Sequence, residues 1–385
     1  MIHINKTIKT RRPKVVLAVT NDVATDHRVH KIAQSLTQMG FDVRIAGRKR
    51  SYSLPVNCPG VSVKRFNLWF NKGPLFYANY NLRLFFHLLF TRYHVLVAND
   101  LDTLLACYLA AKIKRKPVVY DSHEYFTEVP ELINRPRVQC VWRKIEKSIV
   151  PKLTHCYTVS QGIADLYHQK YHTRFKLVRN FPSNTLNRAP LNSYKPPFPT
   201  DMPTILYQGA VNLGRGVEEA ILAMKNIDNV RLVIVGDGDK YDTCRQLAID
   251  EQLGDKVLFI GRVSPDELAL ITPFATIGLS IEKDMGLNYC FAMPNKLFNY
   301  IQAGVPVLAS SLPEIKNIVS SYQTGYLIKE TTPEIISAGI QHMLNSPADM
   351  EKWKAGCHKA GKILCWENEE KTLKSIYSTF LPDSF

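Results

Sequence analysis

Residues 294–310, "PNKLFNYIQAGVPVLAS", combine a helical pattern and a strand pattern within seventeen positions. Its first part places Leu297, Phe298 and Ile301 at helical spacing on one face, and Gly304 follows at the position where a helix commonly ends. The "PVLAS" that comes next is typical of a short buried strand. A helix that passes through glycine directly into a buried strand is the repeating unit of an α/β domain with a parallel sheet.

Apolar, β-branched runs recur along both halves of the chain and alternate with helical patterns. In chain order they are "VVLAV", "DVRIAG", "HVLVAN", "KPVVYDS" and "CYTVS", and then "TILYQG", "RLVIVG", "VLFIG", "TIGLSIE" and "PVLAS". Such runs predict strands buried on both faces of a parallel sheet. The helices between them carry end signals: residues 25–39 form one apolar stripe and stop at Gly40, and "SPDELALI" begins with Ser264 as an N-cap. The chain is therefore predicted to be α/β, with two Rossmann-like domains facing a cleft.

The net charge of +15 is concentrated in the first half of the 385 residues. Residues 1–180 contain 30 Lys and Arg against 11 Asp and Glu, whereas the remainder contains 19 against 23. A strongly cationic half implies an anionic partner: a nucleic acid, a membrane surface or a phosphorylated substrate. The eight cysteines show no metal or disulfide spacing, which is typical of thiols in a reducing compartment. The apolar run after the basic N-terminus has five residues, which is too short for the core of a signal peptide. We therefore expect a cytoplasmic protein.

The segments that follow the predicted strands are the candidate ligand loops, because ligands bind outside the C-terminal ends of such strands. In "QGAVNLGRG", residues 208–216, three glycines permit close approach of a ligand to the backbone. Arg215 has the fork geometry that suits a phosphate, next to the start of a predicted helix. An ordinary turn with a solvated arginine explains this loop equally well.

Several segments, taken in order, resemble the family 4 retaining glycosyltransferases, which are group 1 enzymes of the GT-B fold. They are "DHRVHKIAQSLTQMGFDV", "VVYDSHEYFTEVPEL", "ILYQGAVNLGRGVEEAILAM", "RLVIVGDGD", "VLFIGRVSPDELALI", "PNKLFNYIQAGVPVLAS", "TGYLI" and "CWENEEKTLKSIY". The resemblance implies an acceptor-binding domain at 1–183, a Pro-rich linker at 184–203 and a donor-binding domain at 204–364. It also implies a C-terminal helix, 365–385, that crosses back onto the first domain.

The resemblance implies how a nucleotide-sugar donor is bound. Arg215 matches the basic residue that binds the donor diphosphate, within a loop that includes Gly209 and Gly216. Ala210 stands where the family usually has a further arginine, so Lys296 is expected to share the phosphate charge.

The base and the ribose of the donor are expected beside this loop. The base would stack near Gly236, next to the backbone of Arg262 and Val263. The helix that begins at Asn295 would present Asn299 toward the ribose, where the family usually has a glutamate.

The resemblance implies two further site residues, one of which replaces an acid that the family motif has and this sequence lacks. The first acid of the family's E-x7-E motif falls on Phe291, so Glu282 is the best substitute for a contact with the donor sugar. In the first half, His123 matches a histidine close to the reacting sugar, with Asp121 and Glu124 beside it. A surface histidine and a solvated carboxylate are the structural alternatives for His123 and Glu282.

The implied reaction is transfer of a sugar from a UDP- or GDP-sugar to a glycan or lipid-linked acceptor, with retention and without a metal or other cofactor. His123, Arg215, Lys296 and Glu282 are the expected catalytic residues. The implied setting is cell-envelope or capsular polysaccharide synthesis.

Aromatic and basic residues interleave over residues 66–97, which is typical of a segment lying on an anionic bilayer. We therefore expect peripheral association with the inner face of the cell membrane. A core helix with a basic outer face is the alternative.

Two rival functions stay open. A nucleotide-sugar epimerase has the same fold. A basic nucleic-acid-binding protein would use the cationic half, but the chain has no recognisable nucleic-acid-binding module, so we expect no nucleic acid partner.

Overall fold

A computed structural model describes residues 12–51, 53–184 and 194–381, so residues 185–193 of the predicted linker lie outside the described residues. The chain divides into two compact units. The first contains the described residues up to Thr158, the segment Ala164–Val178 and the described residues from Glu370 onward. The second contains Val159–Ile163 and Arg179–Glu369.

The first unit is built on a parallel sheet with seven strands among the described residues, in the order β3-β2-β1-β4-β5-β6-β7. The strands are β1 (Lys14–Asp22), β2 (Asp42–Lys49), β3 (Val61–Asn67), β4 (Val95–Asn99), β5 (Val118–Ser122), β6 (His155–Thr158) and β7 (Lys176–Leu177). The α-helices between residues 12 and 184 are α1 (His27–Gln38), α2 (Gly73–Phe90), α3 (Leu101–Lys114), α4 (Pro130–Ile133), α5 (Pro136–Ile149) and α6 (Gln161–Tyr171).

The second unit is built on a parallel sheet with six strands among the described residues, in the order β10-β9-β8-β11-β12-β13. The strands are β8 (Thr204–Gln208), β9 (Arg231–Val235), β10 (Val257–Gly261), β11 (Ile277–Ser280), β12 (Val307–Ser310) and β13 (Gly325–Ile328). The α-helices after residue 194 are α7 (Val217–Ala223), α8 (Tyr241–Asp250), α9 (Pro265–Ile271), α10 (Leu287–Cys290), α11 (Asn295–Gln302), α12 (Pro313–Tyr322), α13 (Pro333–Leu344), α14 (Pro347–Ile363) and α15 (Trp366–Tyr377).

The two parallel-sheet α/β units confirm the predicted fold class, and local sequence explains the helix ends. The side chain of Asp26 accepts a hydrogen bond from the backbone N–H of Val29 at 3.1 Å and so caps α1. Ser264 caps α9 in the same way, accepting from the N–H of Glu267 at 3.2 Å. Helix α11 begins at Asn295, and Gly304 follows it with φ +72°, a conformation that glycine adopts without strain.

In each sheet the strand order reverses next to the first strand of the unit, between β1 and β4 and between β8 and β11. Loops that leave adjacent strands at such a point diverge and leave a crevice at the C-terminal edge of the sheet. In the second unit the loops after β8 and β11 are therefore the place to look for a ligand site.

Strand β3 and helix α2 are the parts that the apolar runs predict least well. Strand β3 is the edge strand of its sheet and alternates exposed and inward residues, so it has no continuous apolar run. Helix α2 packs residues such as Phe76 and Tyr80 into the core, yet Phe86 and Phe90 are exposed. The expected surface segment 66–97 thus contains core residues, and its last part, in β4, is buried.

The C-terminal part of the chain belongs to the first unit from Glu370 onward. There the ring of Tyr377 packs edge-on against Phe41, with 6.3 Å between ring centroids, and its hydroxyl lies 3.3 Å from the hydroxyl of Tyr157. Tyr377 is fully buried, so the end of α15 is part of the core of that unit.

Candidate functional site

The glycine loop after β8 requires its glycines. Gly209, Gly214 and Gly216 all have positive φ, at +122°, +77° and +75°. A Cβ atom at Gly216 would lie 2.4 Å from the carbonyl oxygen of Ile281, on the loop after β11, so no larger residue fits there. The loop is held from below by Tyr207, whose hydroxyl donates to the carbonyl oxygen of Ala210 at 2.6 Å.

Three charged side chains of the second unit meet beneath this loop. Lys296 Nζ lies 3.0 Å from Glu282 Oε1, in an ion pair whose alignment is poor for a hydrogen bond. Arg215 Nη1 lies 3.8 Å from the same oxygen. The stem of Lys296 runs along Gly209, because a Cβ added to that glycine would lie 3.7 Å from Lys296 Cε. Two cations and one carboxylate thus give the centre a net positive charge next to exposed backbone.

Burial separates the roles of these three groups. The side chains of Lys296 and Glu282 are 6% and 2% exposed, whereas that of Arg215 is 28% exposed. Burial alone favours the neutral form of Glu282, but the charges of Lys296 and Arg215 outweigh it and hold the pKa of its carboxyl below the usual value. Glu282 therefore stays ionised and serves as the counter-ion of the two cations.

Aromatic rings hold both cations in place. Lys296 Nζ lies 3.9 Å from the ring centroid of Tyr207, and the guanidinium carbon of Arg215 lies 4.8 Å from that of Tyr289. Such cation–π contacts fix a charge without supplying a second anion. Arg215 Nε has no hydrogen-bond partner among the described residues, so it retains a donor for a ligand.

The N-terminal end of the short helix α7 attracts an anion less strongly than the sequence suggests. It has seven residues, and Glu218 and Glu219 lie in its first turn. Acidic side chains already complement the positive end of its dipole, so attraction for an anion at this end depends mainly on Arg215.

A cavity of about 420 Å³ opens beside the glycine loop. Its lining residues come from the ends of β8, β9 and β10, the segments that follow these strands, and helix α9: Gly209, Ala210, Val235, Gly236, Asp237, Gly238, Arg262, Val263 and Leu268. Gly236 leaves room for no side chain, because a Cβ there would lie 1.9 Å from the carbonyl oxygen of Gly209. The structure thus brings Gly236, Arg262 and Val263 together around one cavity.

Helix α11 places its two asparagines differently. Asn295 is exposed at the start of the helix and accepts a hydrogen bond from Asn180 Nδ2 at 3.1 Å. Asn299 lies one turn further and is half-buried. Phe291, where the family motif has an acid, packs near Gly162, since a Cβ there would lie 2.1 Å from Phe291 Cδ1.

His123 belongs to the first unit, whereas the other predicted site residues belong to the second. Its Nε2 lies 2.9 Å from Asp121 Oδ2 and its Nδ1 lies 3.2 Å from Asp100 Oδ2. Arg28 completes the network, donating to Asp121 at 2.7 and 3.2 Å and to the carbonyl oxygen of Val178 at 2.9 Å.

This network fixes the charge of the histidine. Burial disfavours the imidazolium, but Asp100 and Asp121 outweigh it and hold the pKa of His123 well above its usual value. Burial likewise disfavours the Asp121 carboxylate, yet Arg28 and His123 keep its pKa below the usual value. Both ring nitrogens therefore carry protons, so His123 is a fixed cation and has no lone pair for base catalysis.

The pKa values of two neighbouring carboxyl groups are raised, unlike that of Asp121. Burial, reinforced by the charge of Asp100, raises the pKa of Asp102 to about 8, and the same causes raise the pKa of Glu124 to about 8. Near neutral pH both carboxyl groups are therefore largely protonated. The sequence analysis names Asp121 beside His123, and Asp100 could have been found because it directly follows β4, but Arg28 on α1 gives no such signal.

Sequence models of two families match the chain. The model described as "Glycosyltransferase Family 4" matches residues 26–181, and the one described as "Glycosyl transferases group 1" matches residues 190–359. The chain belongs to glycosyltransferase family 4. The glycine loop, Arg215 and α11 lie in the group 1 match, and His123 lies in the family 4 match.

Curated relatives of this family 4 protein align over part of their length. An uncharacterized glycosyltransferase of Methanocaldococcus jannaschii, MJ1607, is 29% identical over 183 residues, which are 46% of this chain and 45% of that protein. Alpha-monoglucosyldiacylglycerol synthase of Streptococcus pneumoniae is 27% identical over 130 residues, which are 32% of this chain and 28% of that protein. The chain thus spans less than half the length of these relatives.

Solved structures show the fold over nearly the whole chain. Sucrose-phosphate synthase of Thermosynechococcus elongatus superposes with a TM-score of 0.77 at 17% identity, covering 96% of this chain and 99% of that chain. HepE of Anabaena, in complex with UDP and glucose, gives a TM-score of 0.74 at 13% identity and covers 96% and 100%. The family 4 protein therefore has the GT-B fold.

Proposed function

We propose that the protein is a glycosyltransferase that moves a sugar from a nucleoside-diphosphate sugar to a glycan or lipid-linked acceptor. The observation that carries the proposal is the pair of cations, Arg215 and Lys296, held beneath a glycine loop beside a cavity. The complex of the structurally similar HepE with UDP and glucose supports a nucleotide-sugar as the donor.

The donor would lie along the C-terminal edge of the second sheet. A volume of about 420 Å³ accommodates a nucleobase between Gly236 and the backbone of Arg262 and Val263. The diphosphate would meet Arg215 and the buried charge of Lys296 at Gly209, where the backbone carries no side chain. Asn299 would hold the ribose.

The chemistry proposed is substitution with retention. The bond from the anomeric carbon to the diphosphate oxygen breaks, the acceptor oxygen bonds to that carbon on the same face, and the acceptor proton passes to the departing diphosphate. Arg215 and Lys296 stabilise the charge that grows on the leaving group. Glu282 does not act as a nucleophile, because its oxygens face Lys296, Arg215 and the hydroxyl of Ser280, which donates at 3.0 Å.

His123 would act near the reacting sugar as a fixed positive charge. Both ring nitrogens face carboxylates, so the proton of the acceptor has no free base at this residue. This arrangement supports transfer of the proton to the departing diphosphate.

The acceptor proposed is at a membrane surface. Leu82, Phe86 and Phe90 of α2 are 57%, 50% and 87% exposed on a helix that contains no acidic residue. An exposed apolar helix face in the strongly cationic half of the chain suits binding to an anionic bilayer from one side. None of the helices in the described parts of the chain has the length and apolar character needed to cross a bilayer.

A donor panel tests the function. UDP-glucose, UDP-galactose and GDP-mannose are each incubated with the protein and with membrane lipids or water, and release of nucleoside diphosphate is measured. We expect one donor to give release that depends on the acceptor lipid. An epimerase would interconvert sugars without net release, and absence of both activities with every donor would refute the proposal. In the same assay Arg215→Ala should lower the release, whereas Arg245→Ala, at an exposed position of α8, should leave it unchanged.

A further inference from the structure

A cavity of the first unit takes no part in the donor site described above. It has a volume of about 690 Å³ and lies outside the C-terminal ends of β2 and β3, before α2 begins. Its described lining residues are Arg48, Lys49, Arg50, Ser51, Asn67, Leu68, Asn71 and Lys72.

The described lining of the cavity is strongly cationic. Four of its eight described lining residues are Lys or Arg, and none is acidic. The surrounding sequence, residues 43–99, contains nine Lys and Arg and no Asp or Glu. Cations gathered in one cavity repel each other, and an anionic ligand relieves that repulsion while the cavity walls focus the field on it.

Part of the lining is rigidly built. Arg48 is 6% exposed, and its guanidinium carbon lies 4.4 Å from the ring centroid of Phe76. Its Nη2 donates to the carbonyl oxygen and to Oδ1 of Asn71 at 2.9 and 3.0 Å. The backbone N–H of Arg50 donates to Ser53 Oγ at 2.7 Å. These contacts fix the cavity wall, so the site is formed before any ligand arrives.

Two lysines are available to a ligand. Lys49 and Lys72 are exposed, and neither forms an ion pair with any described residue. An ammonium group binds a phosphate as a mobile point charge, whereas the buried Arg48 shapes the wall.

Exposed apolar side chains follow the cavity lining closely in the chain. Immediately after Leu68, Trp69 and Phe70 are 78% and 44% exposed, and Leu75 on the first turns of α2 is 58% exposed. The guanidinium carbon of Arg83 lies 4.6 Å from the ring centroid of Trp69. Exposed tryptophan beside basic residues is the arrangement that proteins use at the boundary between lipid headgroups and hydrocarbon.

We propose that this cavity binds the phosphate group of an anionic membrane lipid, with the hydrocarbon of that lipid against Trp69, Phe70 and Leu75. The inference rests on the proposed action at a membrane and names the chemistry that would hold the lipid there. Phosphate chemistry follows from the four cations, and attachment to a lipid follows from the exposed apolar side chains. A free phosphate ion would make no contact with these apolar side chains.

Sedimentation of the full chain with vesicles tests the proposal. Vesicles of phosphatidylcholine alone are compared with vesicles that also contain phosphatidic acid. The test variant carries Lys49→Gln and Lys72→Gln. The control variant carries Lys144→Gln and Lys147→Gln on α5, where both lysines are exposed, and so has the same change of charge in the same part of the chain.

We expect binding to the phosphatidic acid vesicles to weaken at least tenfold in the Lys49→Gln/Lys72→Gln variant and less than threefold in the control. A Trp69→Ala variant, which keeps every charge, should also bind more weakly. Equal weakening in the test and control variants would overturn the proposal, since it would show diffuse attraction only. Inorganic phosphate binding that saturates the cavity and is unaffected by Trp69→Ala, with no gain from vesicles, would overturn it in favour of a free ion.

The outcomes separate this inference from the proposed function. Calorimetric titration with UDP reports on the second unit and should be the same in all three variants. If the Lys49→Gln/Lys72→Gln variant loses vesicle binding but still binds UDP, the substitutions have affected the lipid site and not the donor site. Failure of the unmodified chain to bind any vesicle would remove the membrane part of the proposed function itself.

Discussion

The substitution Glu282→Gln should destabilise the protein and at the same time strengthen its binding of nucleoside diphosphate. The change keeps the size of the side chain and one hydrogen-bond acceptor for Ser280, but it removes the negative charge. Lys296 Nζ, 3.0 Å from that carboxylate and 6% exposed, then remains buried without a counter-ion. A diphosphate would meet a site with two cations and no competing anion.

The structure sets the size of both effects. Removing one partner of a buried ion pair costs about 3–5 kcal/mol, and the Tyr207 ring at 3.9 Å offsets part of this, so we expect a loss of about 3 kcal/mol in unfolding free energy. A phosphate bound to Lys296 would lie roughly 6 Å from the carboxylate. At an effective dielectric constant of about 20, two unit charges at that distance repel by about 3 kcal/mol. Looser positioning of Lys296 reduces the gain, leaving an affinity increase of about tenfold.

Urea denaturation and calorimetric titration with UDP measure the two quantities. Glu330→Gln, at an exposed position of the second unit, is the matched control and should change neither. A variant of unchanged stability would show that Glu282 is not the counter-ion of Lys296. If UDP affinity stays the same while KM for the sugar nucleotide rises, Glu282 contacts the donor sugar instead, as the family resemblance implies.

Two further predictions concern other residues. Asn299→Ala should raise KM for the donor about fivefold, as loss of one ribose hydrogen bond worth about 1 kcal/mol implies, whereas Asn299→Glu should preserve or improve it; steady-state kinetics of a folded variant decide. The imidazolium of His123 is stabilised by folding, so its contribution is complete below about pH 6.5, the value for a free imidazole, and is lost as pH rises through the raised pKa. Unfolding free energy should therefore decline above about pH 6.5, and a His123→Gln variant that keeps the same slope would contradict this.

Much of the fold was predictable because its signals are local. The strands that are apolar throughout and the ends of α1, α9 and α11 depend on residues next to each other in the chain. Strand β3 escapes the same reasoning, since an edge strand buries one face and alternates instead. The sequence indicated both a surface segment and a core helix for α2, but only the packing of the folded chain shows that Phe76 is buried and Phe86 is exposed.

Some residues of the candidate site could be predicted from the sequence, whereas others could not. The glycine loop and Arg215 are visible in the sequence because positive φ values and a fork-shaped cation have recognisable residue types. The role of Glu282 is not visible, because its partners are distant in the chain, as Arg28 is from Asp121. Which cation meets which carboxylate is set by the order of strands in the sheet.

Calorimetric titration of Arg215→Ala with UDP measures directly whether this family 4 protein binds a donor diphosphate at the glycine loop of its second unit. A charge-assisted hydrogen bond to phosphate contributes about 1.5–3 kcal/mol, so the affinity should fall by one to two orders of magnitude relative to the unmodified protein and the Arg245→Ala control. Arg215 is 28% exposed, so the thermal stability should change little. An unchanged UDP affinity in a folded Arg215→Ala variant would show that the diphosphate does not bind at this loop.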